Sequence, residues 1–185
     1  MSRPLTGLTI ALALVALALT PTSARAQALW PVSVEWSYGV LNGMSPSKQS
    51  DPRSKGQGSI VVAWRFGNRL AAGPVAALEV SGQGVSGDTA CFPGDCLDPH
   101  SFGAVSLLVG WESADGRLRG TLGPGVTRAY GDWDNYRLAL TARADGAVPL
   151  FGRLAFVLFA RGHLIPSYQD RAYSFMNFGA GLRLR

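Results

Sequence analysis

The last twelve residues of the chain, SFMNFGAGLRLR (174–185), decide its fold. Every second residue from Met176 to Leu184 is apolar, and the residues between them are Asn, Gly or Arg. A repeat of two places successive side chains on opposite faces, as in a β-strand with one apolar and one polar face. The segment therefore predicts a strand that separates hydrocarbon from a polar environment.

The same alternation recurs in seven stretches upstream. Each has an apolar face and a face of small, polar or charged residues; the stretches are 32–40, 59–66, 76–81, 104–112, 118–127, 136–143 and 154–161. None of them shows the 3.6-residue repeat of an amphipathic helix. The connections alternate between short ones (67–73, 113–117 and 145–152) and longer ones, a rhythm typical of up-and-down transmembrane barrels.

Strand length and backbone chemistry point to closure. Strands of about ten residues cross a bilayer when they are tilted, and in lipid only a closed barrel pairs every backbone polar group. Tryptophans and tyrosines gather near the strand ends, where their rings sit at the level of the lipid headgroups. The pattern predicts an all-β fold, an eight-stranded antiparallel up-and-down transmembrane β-barrel.

The N-terminus predicts export. Arg3 precedes an apolar segment from about Leu8 to Leu19, and Ala24 to Ala26 form a small-residue cleavage site. This is the pattern of a secretory signal peptide, and its apolar segment is short for a transmembrane helix. We expect residues 1–26 to be removed and residues 27–185 to form one domain. The mature net charge of +3 is too mild to indicate a nucleic-acid partner.

The chain has two cysteines, Cys91 and Cys96, in the segment TACFPGDCLD. Outside the cytoplasm, two cysteines so close together in a Pro-Gly turn predict a disulfide. Neither the cysteines nor the two histidines match the ligand spacing of a zinc site, and we expect no metal or cofactor.

The polar face of the strands carries charge into the barrel if the apolar face meets lipid. An eight-stranded barrel has an interior just wide enough for side chains to fill, and buried charges must be paired or hydrated. We therefore predict a Glu–Arg network that plugs the interior and leaves no wide pore. Its members are Glu35, Arg65, Glu79, Glu112, Arg119, Arg137, Arg143, Arg161 and Arg183.

The signal peptide, the eight alternating strands and the terminal MNFGAGLRLR resemble the small Gram-negative outer-membrane β-barrels of the OmpA–OmpX kind, often described as porin-family proteins. The resemblance covers nearly all of residues 27–185 and is specific for architecture rather than activity. It implies a monomer in the outer membrane, contact with outer-membrane lipid and lipopolysaccharide, and insertion by the outer-membrane assembly machinery. Such barrels usually end in an aromatic residue, whereas this sequence ends in Arg185.

Three functions are compatible with this pattern. The residues favour an integral barrel with a structural, adhesive or surface-interaction role, in which the longer connections carry any recognition. The alternative is a soluble periplasmic barrel of the lipocalin kind, which requires the apolar face to line a ligand cavity. A lipid A-modifying enzyme is less favoured, because HLIPS (163–167) offers a histidine and a serine without an acid–base constellation. We therefore predict no catalytic residue.

Overall fold

The structure is a computed structural model, and it describes residues 31–45, 56–67, 71–84, 101–130, 136–168 and 171–185. The predicted signal peptide (1–26) and the predicted disulfide between Cys91 and Cys96 lie outside these residues, so both stay predictions. Within the described ranges, no helix is long and apolar enough to cross a membrane.

The described chain forms eight antiparallel strands that close into one barrel. Each strand pairs with the next along the sequence, and the last strand returns to pair with the first. The predicted fold class is confirmed. The strands are β1 (Val32–Ser45), β2 (Gly56–Arg65), β3 (Gly73–Gly84), β4 (Ser101–Glu112), β5 (Leu118–Tyr130), β6 (Tyr136–Phe151), β7 (Leu154–Tyr168) and β8 (Arg171–Leu184).

The C-terminal strand closes the barrel by pairing with both β7 and β1. At this seam, inward-facing glycines are needed because a larger residue would collide with the ring of Phe159. A Cβ on Gly179 would lie 2.8 Å from the ring of Phe159, and a Cβ on Gly39 of β1 would lie equally close to the same ring. The small residues at this seam therefore leave room for Phe159, which is 1% exposed and fills part of the interior.

The exterior of the barrel is apolar and the interior is charged. Leu138, Val109 and Leu107 are 73%, 66% and 65% exposed on the outer face, whereas Glu35 and Arg183 are fully buried inside. A lipocalin-like barrel requires the opposite arrangement, so that alternative is wrong for the described strands. Alternation between a lipid-facing apolar band and a polar interior is the pattern of a transmembrane barrel.

Three short connections lie at the end of the barrel where β1 begins and β8 ends, and short turns mark the periplasmic end of membrane barrels. In one of them, the Ser113 hydroxyl donates to Asp115 Oδ1 at 2.6 Å and the Arg117 amide donates to the same oxygen at 3.0 Å. Partial burial raises the pKa of Asp115, but these two hydrogen bonds and the Arg117 charge together hold it below its ordinary value.

The prediction of a turn over residues 145–152 is wrong. β6 continues to Phe151 and β7 begins at Leu154, with a register shift between Pro149 and Phe151. The chain reverses at Gly152, whose φ of 55° favours glycine. The longer strand carries Asp145 into the interior, where it is 4% exposed.

Leu107 tests the assignment of the exterior to lipid. It is the seventh of the twelve residues of β4, near the middle of the apolar band. Leu107→Arg is expected to destabilise the inserted barrel by about 2–4 kcal/mol, because a guanidinium then faces hydrocarbon. Equilibrium unfolding in phospholipid vesicles measures this, with Leu107→Met as a near-neutral control. Equal stability of the two variants would contradict a lipid-facing Leu107.

Candidate functional site: the charged interior

Five strands deliver charged side chains to the middle of the interior. Each residue occupies an inward position of the two-residue repeat, and each is at most 4% exposed. We call this set the central cluster; it consists of Glu35 on β1, Glu79 on β3, Arg143 and Asp145 on β6, Arg161 on β7 and Arg183 on β8. Three carboxylates meet three guanidiniums, so the cluster is formally neutral.

Four members of the central cluster form a closed ring. Arg183 donates from Nε and Nη2 to Glu35 Oε2, at 3.0 and 2.8 Å, and from Nη2 to Asp145 Oδ2 at 2.8 Å. Arg143 donates from Nε to Asp145 Oδ1 at 2.7 Å and from Nη2 to Glu35 Oε1. Each carboxylate therefore accepts from both guanidiniums. Because charge-assisted hydrogen bonds are strong in a low-dielectric interior, the ring ties β1, β6 and β8 together.

Glu79 extends the ring to the remaining arginine. Arg143 and Arg161 stand directly opposite each other in the β6–β7 ladder, which is unfavourable for like charges. Glu79 reaches across the interior and pairs with both, at 3.4 Å from Arg143 Nη1 and in direct contact with Arg161 Nη1. The Phe159 ring lies 4.5 Å from the Arg143 guanidinium and adds a cation–π contact. Glu79 thus offsets the repulsion between the two arginines.

A second group of charges, the periplasmic cluster, surrounds Glu112. Arg119 donates from Nε to Glu112 Oε2 at 2.8 Å, and its Nη2 lies 2.6 Å from the same oxygen. Arg65 Nη1 and Arg185 Nη2 approach Glu112 Oε1 at 3.5 and 3.7 Å. Three guanidiniums therefore share one carboxylate in this cluster.

The periplasmic cluster also fastens the turns to the barrel wall. Arg65 donates to the carbonyl of Ala71 in one turn and to that of Ala114 in another, the latter at 3.5 Å. Arg185 donates to the carbonyl of Gly116. Burial lowers the pKa of Arg185 to about 10; Glu112 opposes the shift, while the neighbouring arginines add to it.

A chain of uncharged groups lies on the other side of the central cluster. Ser106 Oγ and Thr141 Oγ1 are 2.9 Å apart, and Thr141 Oγ1 is 2.9 Å from His163 Nδ1. His163 packs on Phe175 with ring centroids 4.9 Å apart and is 4% exposed. The side chain of Ser167 lies outside the described part, so no Ser–His pair is observed there. In the described ranges, no group of three metal-ligating residues occurs.

The structure brings eight of the nine predicted interior residues into the two clusters. Arg137 is half-buried on β6 opposite Thr127, and no ion pair with a described residue involves it. The sequence prediction missed Asp145 and Arg185. Asp145 follows Arg143 by two residues and therefore lies on the same face of the strand. This relation is visible in the sequence, but the prediction of a turn at 145–152 ended the strand before Asp145.

A closed barrel with an apolar exterior and a charged, filled interior is a small transmembrane β-barrel, the architecture of Gram-negative outer-membrane proteins. The predicted class and outer-membrane location are thereby borne out.

No protein-family model and no curated protein matches the chain. Among solved structures, the chain is similar to Ail, the attachment invasion locus protein of Yersinia pestis. The sequence of Ail in its structure without a named ligand is 18% identical to this chain. The two structures align with a TM-score of 0.44 over 83% of this chain and 97% of the Ail chain. The complex of Ail with the heparin analogue sucrose octasulfate is 16% identical, with the same TM-score and coverage.

Glu79→Gln tests the neutralising role of Glu79. The variant leaves Arg143 and Arg161 facing each other without a shared carboxylate, and we expect a loss of about 3–5 kcal/mol in the free energy of unfolding. Adding Arg161→Met to Glu79→Gln removes the unpaired charge and is expected to restore most of that loss. Unfolding titrations of the three proteins in vesicles measure the effect. A double variant no more stable than Glu79→Gln alone would refute the pairing.

Proposed function

We propose that the protein is a plugged, non-catalytic outer-membrane barrel with a structural, adhesive or surface-interaction role. The central cluster is the observation that carries this proposal, because its ion pairs occupy the interior at the level where a channel would run. An eight-stranded barrel has no spare width beside such a plug. Any recognition then falls to the outer rim and to the connections at the end opposite the short turns.

Lipopolysaccharide is the partner we propose at the outer rim. Arg128 and Tyr136 are ladder neighbours near the ends of β5 and β6 that lie opposite the short turns. The Arg128 guanidinium carbon lies 5.6 Å from the centroid of the Tyr136 ring, and Tyr136 is 64% exposed on the outer face. Tyrosine is enriched at the membrane interface, and a guanidinium matches the oxygens of a lipid phosphate. The sequence between β1 and β2 also contains Lys48, Arg53 and Lys55, which lie outside the described residues.

The buried position of His163 supports a non-catalytic role over a lipid A-modifying one. Ser106, Thr141 and His163 are 2%, 0% and 4% exposed, so a lipid substrate has no path to them in this conformation. Both the hydroxyl chain and the histidine ring are held by partners inside the barrel. Insertion by the assembly machinery also stays part of this proposal.

Planar-bilayer recordings test the plug. We expect the purified, folded barrel to produce no steady conductance above that of the lipid alone, because ion pairs fill the interior. Insertion is checked independently by the different mobility of heated and unheated samples on a denaturing gel. A steady, reproducible conductance from inserted barrels would contradict the proposal.

Arg128→Gln tests the lipopolysaccharide contact. Loss of one charged contact to a lipid phosphate is worth about 1 kcal/mol, so we expect affinity for lipopolysaccharide in detergent to fall about five-fold at low salt. Arg137→Gln is the matched control, since Arg137 lies next to Tyr136 in sequence but on the opposite, inward face. Equal affinities for wild type and Arg128→Gln would remove lipopolysaccharide from the proposal without affecting the plug.

A further inference from the structure

We propose that the outer wall of the barrel from β4 to β8 holds one acyl chain of a phospholipid from the periplasmic leaflet. The site is a groove on the lipid-facing surface with a volume of about 620 Å³, lined almost entirely by apolar atoms. We call it the outer trough. Its floor, its unfilled glycines and its position in the membrane each point to an acyl chain.

The floor of the outer trough follows two neighbouring rows of the strand ladder. Side chains on β5, β6 and β7 are small in both rows, apart from Leu122, and larger residues on β4 and β8 close the two ends. The first row is Trp111, Gly120, Ala144, Ala160 and Phe178, and the second is Val109, Leu122, Ala142, Gly162 and Met176. The result is a trough two residues wide with a wall at each end.

The glycines of the trough are not explained by packing within the chain. A Cβ on Gly120 or on Gly162 would meet no atom within 4 Å, and neither residue is among the described glycines with positive φ. In contrast, a Cβ on the inward Gly125 would lie 2.8 Å from the carbonyl oxygen of Val105. Glycine inside a strand weakens it, and the lipid-facing band of a membrane barrel is otherwise built from large apolar side chains. The missing volume therefore fits a molecule outside the chain.

The trough starts at the periplasmic rim. A second groove of about 420 Å³ shares Trp111, Gly120 and Ala144 with it and continues to Leu118 and Ser113 at the β4–β5 turn. The Ser113 hydroxyl thus lies where the headgroup of a lipid in the trough would sit.

From the periplasmic rim, the trough extends toward the middle of the membrane, into the apolar band of the exterior. Gly120 is the third residue of β5, whereas Ala160 in the same row is the seventh residue of β7. Four inter-strand spacings of about 4.8 Å give the trough a length of about 19 Å. With strands tilted by about 45°, it rises by about 13 Å, within the roughly 15 Å of one leaflet of hydrocarbon. One acyl chain from the periplasmic leaflet fits this span, and the trough is continuous with the surface that already faces lipid.

The proposal is tested by substitutions that fill the trough with side chains of the protein itself. Gly120→Leu combined with Gly162→Leu places side chains where an acyl chain would lie, at positions where the added Cβ meets nothing. The matched control is Gly58→Leu with Gly82→Leu, because these glycines on β2 and β3 are equally open but lie toward the other end of the barrel. Each protein is inserted into nanodiscs of palmitoyl-oleoyl phosphatidylethanolamine and phosphatidylglycerol and released for native mass spectrometry.

We expect the wild type and the control variant to retain one phospholipid and the trough-filled variant to lose it. Heated and unheated gels verify that all three proteins are folded, and a third variant with Gly120→Leu alone provides a smaller change if the double variant does not fold. The proposal is overturned if the folded wild type retains no phospholipid, or if filling the trough leaves retention unchanged. A wild-type dimer that dissociates on filling would assign the trough to a second copy of the chain and would also overturn it.

Discussion

The barrel depends on the contact between Arg183 and Glu35 across the seam where the last strand meets the first. The two residues face each other in the β1–β8 ladder, and their side chains are hydrogen-bonded and fully buried. An open sheet leaves unpaired backbone groups in hydrocarbon, so the seam must close for the chain to remain in a membrane. Backbone pairing closes the seam, and the ion pair fixes the register in which it closes. A slip by one residue would turn Arg183 toward lipid.

The seam and the plug form a single network. Arg183 also reaches Asp145 on β6, and through Arg143 the ring connects to Glu79 on β3 and Arg161 on β7. Strands far apart along the chain thereby become neighbours through side chains as well as through the ladder. A buried ion pair is costly to desolvate, so its contribution depends on complete pairing. The central cluster balances three carboxylates with three guanidiniums in formal charge, but Glu79 Oε2, Arg161 Nη2 and Arg183 Nη1 are buried without a hydrogen-bond partner among the described residues, which limits its contribution.

The sequence alone predicts the strands, their inward and outward faces and most members of the plug. The two-residue repeat can be identified within each strand, without knowing how the strands pair. It does not predict which charges pair. The contacts of Glu79 with Arg143 and Arg161 depend on the diameter and register of the closed barrel. The sequence does not reveal Asp145 as an interior residue, because residues 145–152 have the composition of a short connection, whereas β6 runs to Phe151. The sequence could not predict the outer trough either, because its two rows can be identified only when the stagger of the strands from β4 to β8 is known.

The plug and the outer trough occupy opposite faces of the same short segments. Residues 142–144 read Ala-Arg-Ala and residues 160–162 read Ala-Arg-Gly, and the two segments are paired in the β6–β7 ladder. The largest inward side chains therefore alternate with the smallest outward ones, so only the backbone separates the arginines from the lipid side. Hydrocarbon rather than water therefore lies next to this thin part of the wall. Because Coulomb attraction grows as the surroundings become less polar, the lipid in the trough would favour the ion pairs of Arg143 and Arg161. The outer surface would thus contribute to the stability of the interior without touching it.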